Sequence, residues 1–381
     1  MNPSQIPSTP PSLAVFIRNV AIKAFLLFVI CNIGFAASRP LEWLGQLSAY
    51  NTIFPGRLRL PFGERPDLAY NLSLDSLSAM FASHELHAEN NNPREFKVIL
   101  IGDSSVWGYL LTPQQSLSGQ LNQAGLHLAD GRPVHFYNLG YPTISLTKDL
   151  LILRQALGYQ PDLVIWLTTL EAFPIEEQLS SPILQNNPSM VRQLIHELDL
   201  PLDVNDPRFK RTTFWSETIL GRRRALADLL RLQMVGVLWA ATGVDQFYPP
   251  SFEPPQRDLA ADDTFSTQAP PALKLDQLAL PLLQAGVTLA GKTPLLIVNE
   301  PIYISAGQNS DIRYNFFYPR WAFDEYRQVM QTASQEHGWA YLDAWDTIHA
   351  QEFTNSAIHL SPAGTAMLAE AIVEKLKEMV K

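Results

Sequence analysis

Of 381 residues only one is a cysteine, Cys31, and it lies inside an apolar run. No intramolecular disulfide can form, and cysteine usage does not report the compartment. Metal-ligand patterns are missing as well. The eight histidines are scattered, with no His-x-x-x-His or Cys-x-x-Cys spacing, so the sequence implies no metal and no other cofactor. Positive charge is scarce: 28 Lys and Arg against 37 Asp and Glu leave a formal net charge of −9. Nucleic-acid recognition usually leaves a basic footprint, and none is present. No internal repeat is visible. What is there is 46% apolar and 17% charged residues, the composition of a globular protein with a large core. The length exceeds one average domain but suits an α/β domain with insertions.

The N-terminus speaks to compartment. Residues 1–15 are rich in Pro and Ser, and Arg18 and Lys23 precede Ala24-Phe-Leu-Leu-Phe-Val-Ile-Cys-Asn-Ile-Gly-Phe-Ala-Ala37. From Val20 to Ala37 the segment has 18 residues. That is about 27 Å as a helix, enough to span a bilayer with Lys23 snorkelling to the interface. The preceding basic flank favours a cytoplasmic N-terminus and an exported body, anchored through residues 20–37. Gly34-Phe35-Ala36 is also a small-x-small site, so a cleaved signal peptide and a secreted body is the competing reading.

The tightest local signal is Val98-Ile-Leu-Ile101 followed by Gly102-Asp103-Ser104-Ser105-Val106-Trp107-Gly108. A serine on a sharp strand-to-helix turn stands at the C-terminal edge of a sheet, where open α/β folds bind ligands. Its hydroxyl becomes a nucleophile when a neighbouring base takes its proton. His359 is the candidate base, because His359-Leu360-Ser361-Pro362-Ala363-Gly364 puts it on a loop just before a helix opened by Pro362. A Gly-Asp-Ser serving only as a helix N-cap is the structural alternative, since Asp and Ser both cap well. Asp103 itself reads as a tie for the turn.

Residues 38–93 read as a stalk or lead-in, helical near Leu74–His87 and closed by Asn90-Asn91-Asn92-Pro93. From residue 94 onward strand and helix alternate. Buried-strand candidates are Val98–Ile101, Val134–Leu139, Leu163–Thr168, Pro294–Val298 and Ala340–Leu342. Helices fit at Gln115–Ala124, Ser145–Gly158, Pro319–His337 and Pro362–Val380. The alternation predicts one parallel sheet covered by helices on both sides. Between the third and fourth strands lie more than 120 residues, an insertion at about 174–290. It carries helical patterns near Asn187–Leu198, Gly221–Thr242 and Leu273–Leu289, and a Pro- and Asp-rich stretch from Tyr248 to Pro271 expected to be mobile. The 221–242 segment starts Arg222-Arg223-Arg224 and ends in an apolar run. It reads either as a partly buried element or as a surface leaning on the bilayer or a membrane partner.

The string Gly-Asp-Ser-x-x-x-Gly after a strand, with the late His-Leu-Ser-Pro-x-Gly, resembles the SGNH (GDSL-type) hydrolase family. The resemblance implies a flavodoxin-like three-layer sandwich on a five-stranded parallel sheet, with Ser104 as nucleophile and His359 as base. In that family the oxyanion donors are the nucleophile's N–H, a glycine after the second strand and an asparagine after the third. Ser104 and Gly140 match the first two. The third strand ends Thr168-Thr169-Leu170-Glu171 with no asparagine, so Thr168, Thr169 or Glu171 holds that place. Thr169 is taken as the third donor, with Asn309 on another loop as a substitute. The family's Asp-x-x-His is also absent: Ser356 stands three residues before His359, and Asn355 before that. Either a neutral group such as Asn355 or a backbone carbonyl orients the ring, or Asp343 or Asp346 turns in. Glu300-Pro301 and the aromatic run 311–321 follow the fourth strand, as a sugar-contacting surface or a plain buried loop; Glu171, Asn309 and Arg313 are the substrate-contact candidates. The implied activity is an exported, membrane-tethered serine esterase or O-acyltransferase, on an O-acyl (for example O-acetyl) carbohydrate or envelope polymer, working beside a membrane acyl-donor protein. A catalytically weak glycan- or partner-binding module is the alternative.

Overall fold

A computed structural model describes residues 12–48, 51, 56–62, 76–87, 94–242 and 248–379. The expected linker at 90–93 lies outside them. Five strands, β1 (Phe96–Ile101), β2 (Val134–Asn138), β3 (Leu163–Thr168), β4 (Leu295–Asn299) and β5 (Ala340–Asp343), form one sheet. All pairings are parallel and the order is β2-β1-β3-β4-β5, the flavodoxin-like order of doubly wound folds. The fold class is therefore as expected.

Helices α1 (Leu13–Ser38), α2 (Pro40–Leu44) and α3 (Leu77–Ala82) precede the sheet. The one-turn α4 (Ser104–Trp107) and α5 (Leu117–Gln123) join β1 to β2, and α6 (Leu146–Leu157) joins β2 to β3. Between β3 and β4 come α7 (Pro182–Asn186), α8 (Pro188–Leu198), α9 (Arg223–Thr242) and α10 (Leu280–Ala290). Helix α11 (Arg320–His337) leads to β5, and α12 (Pro362–Met379) closes the fold.

Val98–Ile101 of β1, Leu163–Leu167 of β3 and Leu295–Val298 of β4 are unbroken apolar runs because both faces are covered. Val98 and Leu100 of β1 join one layer, with Leu117 and Leu121 of α5 and Leu368 and Ile372 of α12. Ile99 and Ile101 join the other, with Leu150 and Leu153 of α6, Leu282 of α10 and Phe323 of α11. Each such buried side chain contributes about 1.5–3 kcal/mol relative to exposure. Trp166 of β3 is fully buried because Gly286 of α10 makes room for it: a Cβ there would lie 2.2 Å from its ring. Its indole N–H is satisfied by Asp149 Oδ2 at 3.0 Å.

Three segments differ from the sequence reading. Helix α3 stops at Ala82 because the next backbone groups pair elsewhere: Arg57 N–H donates to Ser83 O at 2.8 Å and Glu85 N–H to Arg57 O at 2.9 Å. Helix α10 starts at Leu280 and not near Leu273, since Ala279 N–H donates to Phe173 O at 2.7 Å and Leu278 bridges Pro174. The 248–271 stretch is fastened, not loose. Phe265 is buried, Leu259 N–H donates to Gln308 O at 3.0 Å, and Arg313 donates to Asp262 O at 2.6 Å.

Candidate active site

Strand order reverses beside β1, so a crevice opens outside the C-terminal ends of β1 and β3. Ser104 is delivered into that crevice by a forced turn. At Gly102 a Cβ would lie 2.5 Å from Val106 Cγ2 and 3.2 Å from Leu167 O. Asp103 then caps α4, its Oδ1 accepting from Ser105 N–H at 2.8 Å. Gly108 ends the turn at φ 86°, a left-handed conformation that favours glycine.

His359 comes from the loop between β5 and α12. Phe353 and Leu360 form an antiparallel bridge, Thr354 N–H donates to His359 O at 2.8 Å, and Ser361 N–H to Glu352 O at 2.7 Å. Ser361 Oγ also accepts from Gly364 N–H at 3.1 Å, fixing the first turn of α12. Tyr303 N–H, donating to Ala357 O at 2.7 Å, ties this loop to the segment after β4.

The two side chains meet. Ser104 Oγ lies 2.7 Å from His359 Nε2, and His359 Nδ1 lies 3.0 Å from Asn355 Oδ1. An amide oxygen only accepts, so Nδ1 carries the proton and Nε2 offers its lone pair to the serine hydroxyl. That is the tautomer a general base needs. Tyr109 stacks on the imidazole, with ring centroids 5.0 Å apart and planes at 29°. Loss of water around the ring pushes the His359 pKa down to about 4, so the base is neutral from mildly acidic pH upward.

Of the two orienting candidates, Asn355 is at the ring and Asp343 is not. Asp343 ends β5 in register with Asn299. One of its oxygens accepts from Asn299 Nδ2 at 2.7 Å, the other from Arg327 Nε at 2.9 Å and Nη2 at 2.8 Å. Asp346 is exposed and bonds neither ring nitrogen.

The expected oxyanion donors are only partly available. Ser104 N–H has no protein acceptor among the described residues, and it stands at the head of α4. Gly140 N–H is engaged, donating to Asn138 Oδ1 at 3.0 Å. Asn138 folds forward in an Asx-type turn, while its amide group donates to Val106 O at 2.8 Å. Glycine is needed at 140 for space: a Cβ would lie 2.4 Å from Trp107 N. Thr169 is buried, with its hydroxyl paired to Tyr318 OH at 2.9 Å.

Two of the three substrate-contact candidates are structural ties. Arg313 is buried and donates to the carbonyls of Asn315 at 3.1 Å and of Phe316 and Phe317 at 3.0 Å. Asn309, at φ 57°, donates from Nδ2 to Leu259 O at 2.7 Å. Elsewhere in the 311–321 run Tyr314 OH donates to Asp324 Oδ1 at 2.7 Å, Arg320 Nε to Ser310 O at 2.6 Å and Trp321 Nε1 to Asp263 O at 2.6 Å. Glu171 remains at the C-terminal edge of β3, in a 3-10 turn, its carboxyl pKa raised by burial and then by the charge of Glu177.

Several supporting contacts lie beyond the sequence reading. Ser105 Oγ donates to Glu300 Oε1 at 2.6 Å. Glu300 is buried, and burial together with the charge of Asp103 pushes its carboxyl pKa well up. Lys148 of α6 is also fully buried, donating from Nζ to Gly102 O at 2.6 Å and to Asp149 Oδ1. Arg59 lies over the Trp107 ring at 4.1 Å and donates to Gly108 O at 2.8 Å and Leu111 O at 3.0 Å. The trace of the Lys148 role in sequence is a Lys-Asp pair directly before the apolar run Leu150-Leu-Ile-Leu153.

No family model matches the chain, and no curated protein matches it. Solved structures do. Est24, a carbohydrate acetylesterase from Sinorhizobium meliloti, is 16% identical over 75% of this chain and 100% of its own, with a TM-score of 0.34. The native aryl esterase of M. smegmatis is 14% identical over 74% and 98%, also at 0.34. A lipolytic protein of the G-D-S-L family from Veillonella parvula is 10% identical over 73% and 96%, again at 0.34.

Proposed function

We propose that this chain is an SGNH-type serine esterase or O-acyltransferase, anchored by α1 with its body outside the cytoplasm, acting on an acylated carbohydrate through an acyl-Ser104 intermediate. The observation that carries the reading is the linked array Ser104–His359–Asn355, with contacts of 2.7 and 3.0 Å. Ser104 Oγ attacks the ester carbonyl while its proton passes to His359 Nε2. The imidazolium so formed keeps its Nδ1 proton on Asn355 Oδ1, and Ser104 N–H faces the developing oxyanion. Collapse expels the alcohol, which takes the proton from Nε2. Water then attacks the acyl-serine in hydrolysis, or a sugar hydroxyl in transfer, giving its proton to His359 Nε2; collapse breaks the bond to Ser104 Oγ, which takes that proton back as the acid or the new ester leaves.

The retained anchor has its own support. Asn32, the one amide side chain in the apolar run of α1, bonds to the body: Leu220 N–H donates to its Oδ1 at 3.3 Å. A cleaved signal would forfeit that contact. A binding module with weak catalysis is the second reading, favoured by the engaged Gly140 N–H and the neutral partner of His359. A fluorophosphonate probe separates the two. Labelling of the wild-type chain but not of Ser104→Ala is expected; equal labelling of both, or of neither, overturns the esterase reading.

A further inference from the structure

The insertion meets α1 at a depth that has consequences. The 3-10 turn Trp215–Glu217 packs on α1, and the Leu220 contact falls on Asn32, which is buried. Asn32 lies six residues before Ser38, the end of the helix. That is about 9 Å below the point where the helix ends. Around this contact Phe214, Trp215 and Leu220 are 50%, 77% and 54% exposed. Helix α9 starts three residues later. Leu230 and Met234, one turn apart on one face, are 51% and 78% exposed, whereas Leu229 and Leu232 are buried. The middle of α9 sits beside the chain leaving α1, since Gln233 Nε2 donates to Leu47 O at 3.1 Å. Trp43, on that stretch, is 55% exposed.

Charge follows the same layout. Among the described residues of these segments the acids are paired: Glu42 with Arg39, Glu217 with Arg222 and Asp228 with Arg231. Arg223 and Arg224 stand exposed at the head of α9. An apolar face with aromatic residues and surplus arginine, placed where a spanning helix leaves the membrane, fits the headgroup boundary of an anionic bilayer. We propose that the 214–220 turn and the Leu230–Met234 face of α9 lie in the lipid interface, so that the body is seated on the membrane rather than tethered above it. This rests on the reading of α1 as a retained span.

The test uses the full chain carrying Cys31→Ser, with single spin-labelled cysteines at Met234→Cys, at Leu27→Cys in α1 and at the exposed control Glu370→Cys. The protein is reconstituted in vesicles of phosphatidylcholine and phosphatidylglycerol. Collision with oxygen, which partitions into lipid, is compared with collision with a water-soluble nickel chelate. The expected oxygen-to-nickel ratio at Met234→Cys is roughly ten times that at Glu370→Cys and below that at Leu27→Cys, as for a side chain at the acyl boundary. A Met234→Cys ratio equal to the control, with Leu27→Cys in lipid, overturns the seating and leaves the anchor. Closure of Met234→Cys to both reagents marks a protein partner or second copy and also overturns it. A water-like ratio at Leu27→Cys removes the anchor itself, and the proposal with it.

Discussion

Replacing Asn355 with aspartate changes one contact and ought to change both the pH profile and the rate. In the wild-type protein Asn355 Oδ1 accepts from His359 Nδ1 at 3.0 Å, and burial without a charged partner holds the imidazole pKa at about 4. The sign is clear: the folded base stays neutral as pH falls through 6.5, its ordinary value. Hence kcat/KM for p-nitrophenyl acetate should remain flat through mildly acidic pH and drop only near 4. A carboxylate at the same distance favours the imidazolium, moving the acid limb up by about 1–3 pH units. The bond also changes from a neutral one of about 1 kcal/mol to a charge-assisted one of about 1.5–3 kcal/mol. If about 1–2 kcal/mol of that gain is realised in the transition state, the plateau rises about five- to thirtyfold. Steady-state pH profiles of both proteins, with thermal melts to confirm folding, measure this. An acid limb that does not move in Asn355→Asp would refute the assignment of Asn355 to Nδ1.

Three further outcomes are expected. Asp343→Asn should leave esterase turnover within a few-fold of wild type, because both carboxylate oxygens serve Asn299 and Arg327; the change should instead cost about 1–2 kcal/mol in chemical denaturation for the weakened charged hydrogen bonds. Tyr109→Ala should raise the acid limb toward 6.5, since removing the stacked ring readmits water to His359; an unchanged pH profile would show that other groups exclude the water. Lys148→Met strips Asp149 of its buried cation and removes the hold on Gly102 O. A loss of about 3–5 kcal/mol is expected, seen as a fall in Tm of roughly 5 °C.

The sheet was legible because a strand segment buried on both faces is apolar at successive positions, as Val98–Ile101 of β1, Leu163–Leu167 of β3 and Leu295–Val298 of β4 are. Ser104 and His359 were legible because tight glycine turns and a Pro-opened helix leave local traces. What the spacing did not carry is how side chains bond backbone across the fold. Nothing local says that Asn138 takes the Gly140 N–H, or that sheet register pairs Asp343 with Asn299 and removes it from His359. The start of α10 was hidden for the same reason, since a nonlocal bond from Ala279 to Phe173 outweighs helical periodicity. Arg313 and Asn309 have the chemistry of ligand contacts, and only their carbonyl partners reveal them as ties.

If Ser104 carries the acyl group, that group can be trapped on it. The full chain would be mixed with p-nitrophenyl acetate, quenched in acid within the first turnover, digested and read by peptide mass spectrometry. A burst of p-nitrophenol together with an acetyl group on Ser104 is expected, and neither in Ser104→Ala. Release of p-nitrophenol at the same rate from Ser104→Ala, or a burst with Ser104 unmodified, would contradict it.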